Sequence, residues 1–285
     1  METMRAHQLR SLVRFCTDQN DQWQRSVEMN NHPIVLVHGI MLKDFWRFKA
    51  FGKIEKQLNK AGYRAFTADH DGLGTTENNA VQIKAFIERK LEETHSEKVH
   101  IIAHSKGGLD ALYMIDRLGM ADKVSSITFI CTPHKGSMIA SKLYDLPKII
   151  RTPMAWWCNL VYRIFGDKHP DALKVCEALR RNPHFIVSIE NEETQNVFMQ
   201  SFSSTLKHSK DDFVMGIPLF FSRRLEKCDS DGMVSLDSSQ FGEYRGDCLD
   251  ESISHSEIVD FLARKKKSER VVQFYLKLAE ELALR

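Results

Sequence analysis

The sequence is short of the features that settle a protein's class at a glance. It has 7 prolines and 14 glycines in 285 residues, too few for a collagen-like or low-complexity chain. Neither sign of charge prevails, since 40 lysines and arginines against 38 aspartates and glutamates leave +2 at neutral pH. No long-range field draws in a phosphate backbone, and nucleic acid is not implied as a partner. No uncharged apolar run reaches the ~18 residues of a membrane span; the longest apolar-rich one, Thr152 to Tyr162, is closed by Arg151 and Arg163. The start, METMRAHQLRSLVRFCTDQNDQ, lacks the apolar core and small-residue cleavage site of a secretory signal. As written the chain is expected to be cytoplasmic, and secreted if an upstream signal was removed. The six cysteines, Cys16, Cys131, Cys158, Cys176, Cys228 and Cys248, form no CxxC or CxxxC pair, which argues against a zinc site or a thioredoxin-type redox pair. They read as free buried thiols, with Cys228 and Cys248 close enough in sequence to close one disulfide loop.

What is present is an ordinary globular composition, 42% hydrophobic, in a length that suits one large α/β domain with an insertion or two small domains. Short β-branched or apolar runs alternate with helical patterns, the signature of a parallel sheet covered by helices. Strands are expected at Ile34 to His38, Arg64 to Ala68, Val99 to Ala103, Ser126 to Cys131 and Ile217 to Ser222. Between the second and third, Ile83, Ile87 and Leu91 recur every four residues and predict a crossover helix over Asn79 to Thr94. Residues 137–185 break the rhythm with four prolines and the pair Trp156 and Trp157, and read as a helical insertion over the sheet, either plain packing or a mobile lid. Residues 1–32 form an N-terminal extension, helical and polar around Leu9, Leu12, Val13 and Phe15. That leaves 33–136 and 186–285 as the core. The basic run Arg264 to Lys267 opens an amphipathic C-terminal helix and is read as a solvated helix start with no function.

The sharpest local signal is VHIIAHSKGG, Val99 to Gly108: a strand running into a serine flanked by small residues and then a helix pattern. A serine on a strained strand-to-helix turn brings two backbones close together, so Ala103, Gly107 and Gly108 have the sizes this turn needs. Ser105 is the candidate nucleophile. An oxyanion site needs fixed backbone N–H groups, and the amides of Lys106, after the serine, and of Ile40, after the strand end His38-Gly39, are the candidates. His38 is read as holding the loop rather than as a base.

A serine nucleophile needs a base and the base an orienting carboxylate, in the order Ser, Asp or Glu, His for this type of turn. Five histidines follow Ser105. His255, in SHSEIVDF, is the candidate base, and His134, His169, His184 and His208 read as turn, surface or packing residues. Asp231, in CDSDGMVS, is the chosen acid. Asp229 is the runner-up, Asp237, Asp250 and Glu251 stay open, and an aspartate before glycine is often only a turn former.

The blocks PIVLVHGI, AHSKGG, CTPHKGS and DSDGMVS, then SHSEIVDF, in that order over about residues 33–262, resemble bacterial triacylglycerol lipases of the α/β-hydrolase superfamily. The resemblance implies an α/β-hydrolase fold with a helical lid at 137–185 over an acyl-chain pocket. It also implies Ser105, Asp231 and His255 as catalytic residues and the amides of Ile40 and Lys106 as oxyanion hole. Trp156 and Trp157, the aromatic pair of that lid, are the candidate substrate-binding residues. Many such lipases carry a structural calcium; Asp212 resembles one ligand position, while Glu257 stands where the family has aspartate. Ala103 replaces the family's first elbow glycine.

The expected chemistry is hydrolysis of carboxylic esters of acylglycerol type by a serine through an acyl-enzyme, with no cofactor required. Transient contact with a lipid–water interface is expected of the apolar lid. A short-chain carboxylesterase, thioesterase or acyltransferase on the same triad is the alternative within the class, and a non-catalytic binding protein on the same fold the alternative outside it.

Overall fold

The structure, a computed structural model, describes residues 32–41, 49–212 and 215–285. The expected extension around Leu9 to Phe15, and Cys16, lie outside the described residues. Among the described residues no helix is long and apolar enough to cross a membrane.

The chain builds β1 (Ile34–Val37), α1 (Ile54–Lys60), β2 (Ala65–Thr67), α2 (Thr76–Thr94), β3 (Val99–His104), α3 (Lys106–Arg117) and β4 (Val124–Ile130) in strict alternation. There follow α4 (Met138–Tyr144), α5 (Lys148–Ile164), α6 (Ala172–Ala178), β5 (Phe198–Ser203), α7 (Gly216–Glu226), α8 (Leu236–Ser239), β6 (Glu243–Asp247) and α9 (Lys265–Ala283). The strands form one sheet in the order β2-β1-β3-β4-β5-β6, every neighbouring pair parallel. This is the doubly covered α/β sheet expected from the alternation, because parallel strands buried on both faces must be apolar throughout. Val35, Val37, Ile101, Ala103, Ile127 and Phe129 face α2 and α3 on one side. Ile34, Leu36, Ile102 and Ile130 face α1 and α9 on the other.

One expectation is corrected. Ile217 to Ser222 is not a strand but lies within α7. An apolar run of this length is ambiguous between strand and helix; Pro218 sits in the first turn, where its missing N–H costs nothing, and Arg223 and Arg224 suit the last. The strands that extend the sheet are instead FMQSFS and EYRGD. Their polar residues hide them, and β6, at the sheet edge, is largely exposed.

The insertion, α4 to α6, is tied to the loop after β2 by two reciprocal aspartates. Asp71 accepts the amides of Lys168 and His169, both at 2.8 Å, and Asp167 accepts those of Gly72 at 3.1 Å and Leu73 at 2.8 Å. Behind the sheet a buried ion pair joins the helices: Lys106 Nζ donates to Asp110 Oδ1 at 2.8 Å and Oδ2 at 2.7 Å, and Asn79 of α2 donates to the same carboxylate at 2.8 Å. Burial pushes the Asp110 carboxyl up, against the opposing pull of the Lys106 ammonium.

His134 is packed among aromatic rings, stacked on Phe241 at 4.4 Å and edge-on to Phe129 at 4.7 Å. Neither ring nitrogen has a hydrogen-bond partner, and burial lowers its pKa from 6.5 to about 3. It is a neutral core residue, not a base.

Two outcomes are expected. Asp110→Ala leaves the Lys106 charge buried without a partner and should cost about 3–5 kcal/mol of stability, read as a lower urea midpoint. His134 is protonated in the unfolded chain below pH 6.5 but not in the folded one until about pH 3, so its contribution is complete above 6.5 and lost as pH falls through that window. His134→Phe should therefore flatten the decline of unfolding free energy by ~1.4 kcal/mol per pH unit between pH 6 and 4; an unchanged slope would refute the assignment.

Candidate active site

The site lies at the carboxyl end of β3. The strand runs straight into Ser105, which takes φ +56° and ψ −136°, and α3 begins at the next residue. A non-glycine residue in this region is strained, and such strain persists only where the surroundings enforce it. The neighbours do enforce it. A Cβ at Gly107 would stand 2.2 Å from the His38 carbonyl oxygen, and one at Gly108 would stand 2.1 Å from Thr132 Oγ1. Gly39 abuts the serine itself, where a Cβ would come within 2.6 Å of Ser105 Cβ. Gly39 is thus packed against the serine, and Lys106, the first residue of α3, follows it in the chain. The His38 loop is held from behind: the His70 ring stacks on His38 at 3.9 Å, and His70 Nε2 donates to the His38 carbonyl at 3.0 Å.

His255 arrives from the segment between β6 and α9. Its Nε2 lies 2.8 Å from Ser105 Oγ, and its Nδ1 lies 2.6 Å from Asp231 Oδ2. The other Asp231 oxygen accepts the amides of Met233 at 2.9 Å and Val234 at 2.8 Å, and the His255 amide donates to the Asp231 carbonyl at 3.0 Å. The carboxylate thus accepts three hydrogen bonds and gives the imidazole one orientation. His104, before the serine, packs its ring on His255 at 4.5 Å. Burial, then the nearby His255, pushes its pKa well below the ordinary value, so it stays neutral and adds no charge beside the base.

The competing residues are spent elsewhere. Asp229 is exposed near Arg223, Asp237 pairs with Lys135 and Arg181, and Glu251 pairs with Arg270. Asp250, His169, His184 and His208 are exposed. Trp156 and Trp157 lie on the outer side of α5, 64% and 61% exposed. Cys228 and Cys248 are free, not bridged.

The site holds one side chain that the sequence reading left among inert thiols. Cys131, directly after β4, is fully buried with φ +51°, and its Sγ lies 3.2 Å from Ser204 Oγ. Its sulfur and the nearest ligand atoms of Asp231 and His255 all fall within 4.8 Å of one another. The expected serine lipase, with one nucleophile-type side chain before the Asp231–His255 pair and acylglycerols as substrate, is corrected by this cluster. A thiol shares the acid–base pair, and the acylglycerol reading gives way to the broader alternatives. No local signal in the sequence marks Cys131; it stands beside the pair because β4 ends level with β3.

The same cluster is the one grouping of metal-ligand type found among the described residues. Asp231 already accepts from His255 and two amides, and burial, Cys248 and Asp231 push the Cys131 thiol well up. The set suits proton transfer better than an ion. The two candidate calcium ligands do not fit a calcium ion either. Glu257 Oε2 is met by the Lys267 ammonium at 2.6 Å, and Asp212 Oδ2 accepts the Ser254 hydroxyl at 2.5 Å.

Comparison with known proteins agrees with this architecture. A triacylglycerol lipase 2 of Saccharomyces cerevisiae is 25% identical over 258 residues, which cover 81% of this chain and 72% of that one. A triacylglycerol lipase of Pseudarthrobacter phenanthrenivorans is 28% identical over 165 residues, 52% of this chain, and the chain spans about half of that protein, 49%. The crystal structure of a metagenomic carboxyl esterase shares the fold with a TM-score of 0.64 at 16% identity, covering 89% of this chain and 76% of that one. Relatives and the acid–base cluster together support activity on carboxylic esters, and the structural likeness supports the fold. The family described as alpha/beta hydrolase fold matches residues 32–174, the stretch that here builds the first four strands and the strained turn between them, and the chain belongs to that family.

Proposed function

We propose that the protein is a carboxylic ester hydrolase of the short-chain carboxylesterase kind, working by acyl transfer. The observation that carries the acyl-transfer chemistry is the imidazole of His255, held by Asp231 on one nitrogen at 2.6 Å and by a hydroxyl on the other at 2.8 Å. In this reading His255 takes the proton of Ser105, the hydroxyl oxygen attacks the ester carbonyl, and the imidazolium returns the proton to the leaving alcohol. Water then repeats the sequence to free the acid. The amides of Ile40 and Lys106 receive the developing oxyanion, each such donor lowering the barrier by about 2.7–4 kcal/mol. Thioesters and transfer to an alcohol acceptor fall within the same chemistry.

A second reading makes Cys131 the nucleophile and is favoured by its place in the cluster with Asp231 and His255. Against it, burial holds this thiol protonated, and the thiolate is the reactive form.

Residues 137–185 act in this proposal as a cap. Along α5, Ile149 (85% exposed), Ile164 (73%), Trp156 and Trp157 lie on the outer side. At ~25 cal/mol per Å² of apolar area, such a face gains by resting on a lipid–water interface, where Trp156 and Trp157 would meet the substrate phase.

Two experiments test these statements. On a chain-length series of p-nitrophenyl esters, the wild type should be fastest with short acyl groups. Ser105→Ala should lose several orders of magnitude in kcat/KM, with Cys131→Ala within about threefold of wild type; the reverse pattern transfers the role to the thiol. On emulsified esters, Trp156→Ser with Trp157→Ser should slow hydrolysis several-fold and reduce co-sedimentation with lipid droplets, whereas an undiminished emulsion rate removes the interfacial contact.

A further inference from the structure

The basic run Arg264 to Lys267 has no part in acyl transfer, and it stands where a helix tolerates cations least. The first turn of α9 carries no acidic residue, so its lysines face the positive end of the helix dipole. Lys267 has a partner that offsets this cost. Its Nζ lies 2.6 Å from Glu257 Oε2, the two side chains being only 19% and 6% exposed.

Glu257 is two residues from His255 and grips the same turn. Its Oε2 accepts the Ser254 amide at 3.2 Å, and its own amide donates to Ser254 Oγ at 3.2 Å. The Ser254 hydroxyl in turn donates to Asp212 Oδ2 at 2.5 Å, and Asp212 Oδ1 accepts the Met215 amide at 3.0 Å. Ser254 is therefore fixed from two sides, by Glu257 and by Asp212, immediately before the base. Its backbone is irregular here, with a single 3-10 turn at Glu257–Val259, so no regular helix or strand sets the position of His255. Removing one partner of a buried ion pair leaves the other charge uncompensated, and a Glu257 carboxylate that turns away toward water releases Ser254.

We infer that Lys267 is a positioning residue for the base: its ammonium holds Glu257, and Glu257 holds the turn from which the His255 imidazole reaches Ser105. This rests on the reading of His255 as base in the proposed function. It assigns a role to the first turn of the C-terminal helix, which lies outside the acid–base cluster and is joined to it through side chains. Proton transfer depends on heavy-atom distances near 2.8 Å, and a displacement of about 1 Å costs on the order of a hundredfold in rate.

The test uses the full chain with Lys267→Met, Lys267→Arg and Glu257→Gln, measuring kcat and KM on a p-nitrophenyl ester and amide hydrogen exchange over residues 253–259. Lys267→Met should lower kcat about ten- to a hundredfold with KM within about threefold, and should speed exchange in 253–259 while leaving β3 protected. Lys267→Arg, which keeps the cation, should return kcat to within about threefold of wild type. A folded Lys267→Met with wild-type kcat overturns the inference, as does a loss of kcat that Lys267→Arg does not recover, or faster exchange spread evenly along the chain. Should Lys267→Met fail to fold, Glu257→Gln decides: a kcat about tenfold down supports the role and an unchanged kcat ends it. Should the wild type hydrolyse no ester, the hydrolase reading fails by itself, and local exchange in the variants still tells whether Lys267 holds the His255 turn.

Discussion

Close backbone contact at one turn is the constraint on which the rest depends. Ser105 is held at φ +56° because the chain on both sides of it has nowhere else to go. Gly39 presses on the serine side chain, Gly107 on the His38 carbonyl and Gly108 on Thr132. The strain is maintained by the sheet, since β1 and β4 flank β3 through parallel ladders that run unbroken from His100 to the end of the strand near Ser105. A central strand buried on both faces cannot shift without losing its core. What the packing secures is a hydroxyl at the end of the strand, within reach of the His255 imidazole.

The second requirement is a base with one orientation and one charge state. Asp231 supplies the orientation, its carboxylate spent on one ring nitrogen and two amides. The surroundings govern the charge. His70 and His104 are buried and kept neutral by desolvation, so the site is lined with imidazole without gathering positive charge. Cys131 completes the neighbourhood as a protonated thiol. The hydroxyl and the thiol near one acid–base pair are distinguished by solvation: the serine touches the imidazole, whereas the cysteine lies in a dry pocket beside Ser204.

How much of this is legible in the sequence differs by element. Of the first four strands, β1, β3 and β4 could be read because they are apolar, β-branched-rich runs buried almost throughout, the short edge strand β2 by its place in the alternation, and the helix over Thr76–Thr94 because its apolar residues keep a helical period. The last two strands could not: Phe198–Ser203 is half polar, and Glu243–Asp247 lies at an edge where solvent asks for no apolar residues. The apolar run around Pro218 had the composition of a strand and is helical because its flanks suit helix termini. In the site, Ser105, Asp231 and His255 could be named because local turn chemistry and chain order mark them. Cys131 could not, because nothing in its own neighbourhood differs from an ordinary core cysteine. Lys267 was legible only as part of a charge run.

The sequence by itself determined the alternation of strands and helices, hence the parallel sheet, and it determined the elbow. Both are written in local terms, the period of apolar residues and the sizes of the residues around one serine. Tertiary structure alone decided which thiol stands beside the imidazole, which carboxylate meets the lysine of the last helix, and which helix presents its tryptophans outward. The first two are pairings across ten to more than a hundred positions. They arise from the order in which strands lie side by side, and no local pattern of residue types encodes a distance across a sheet.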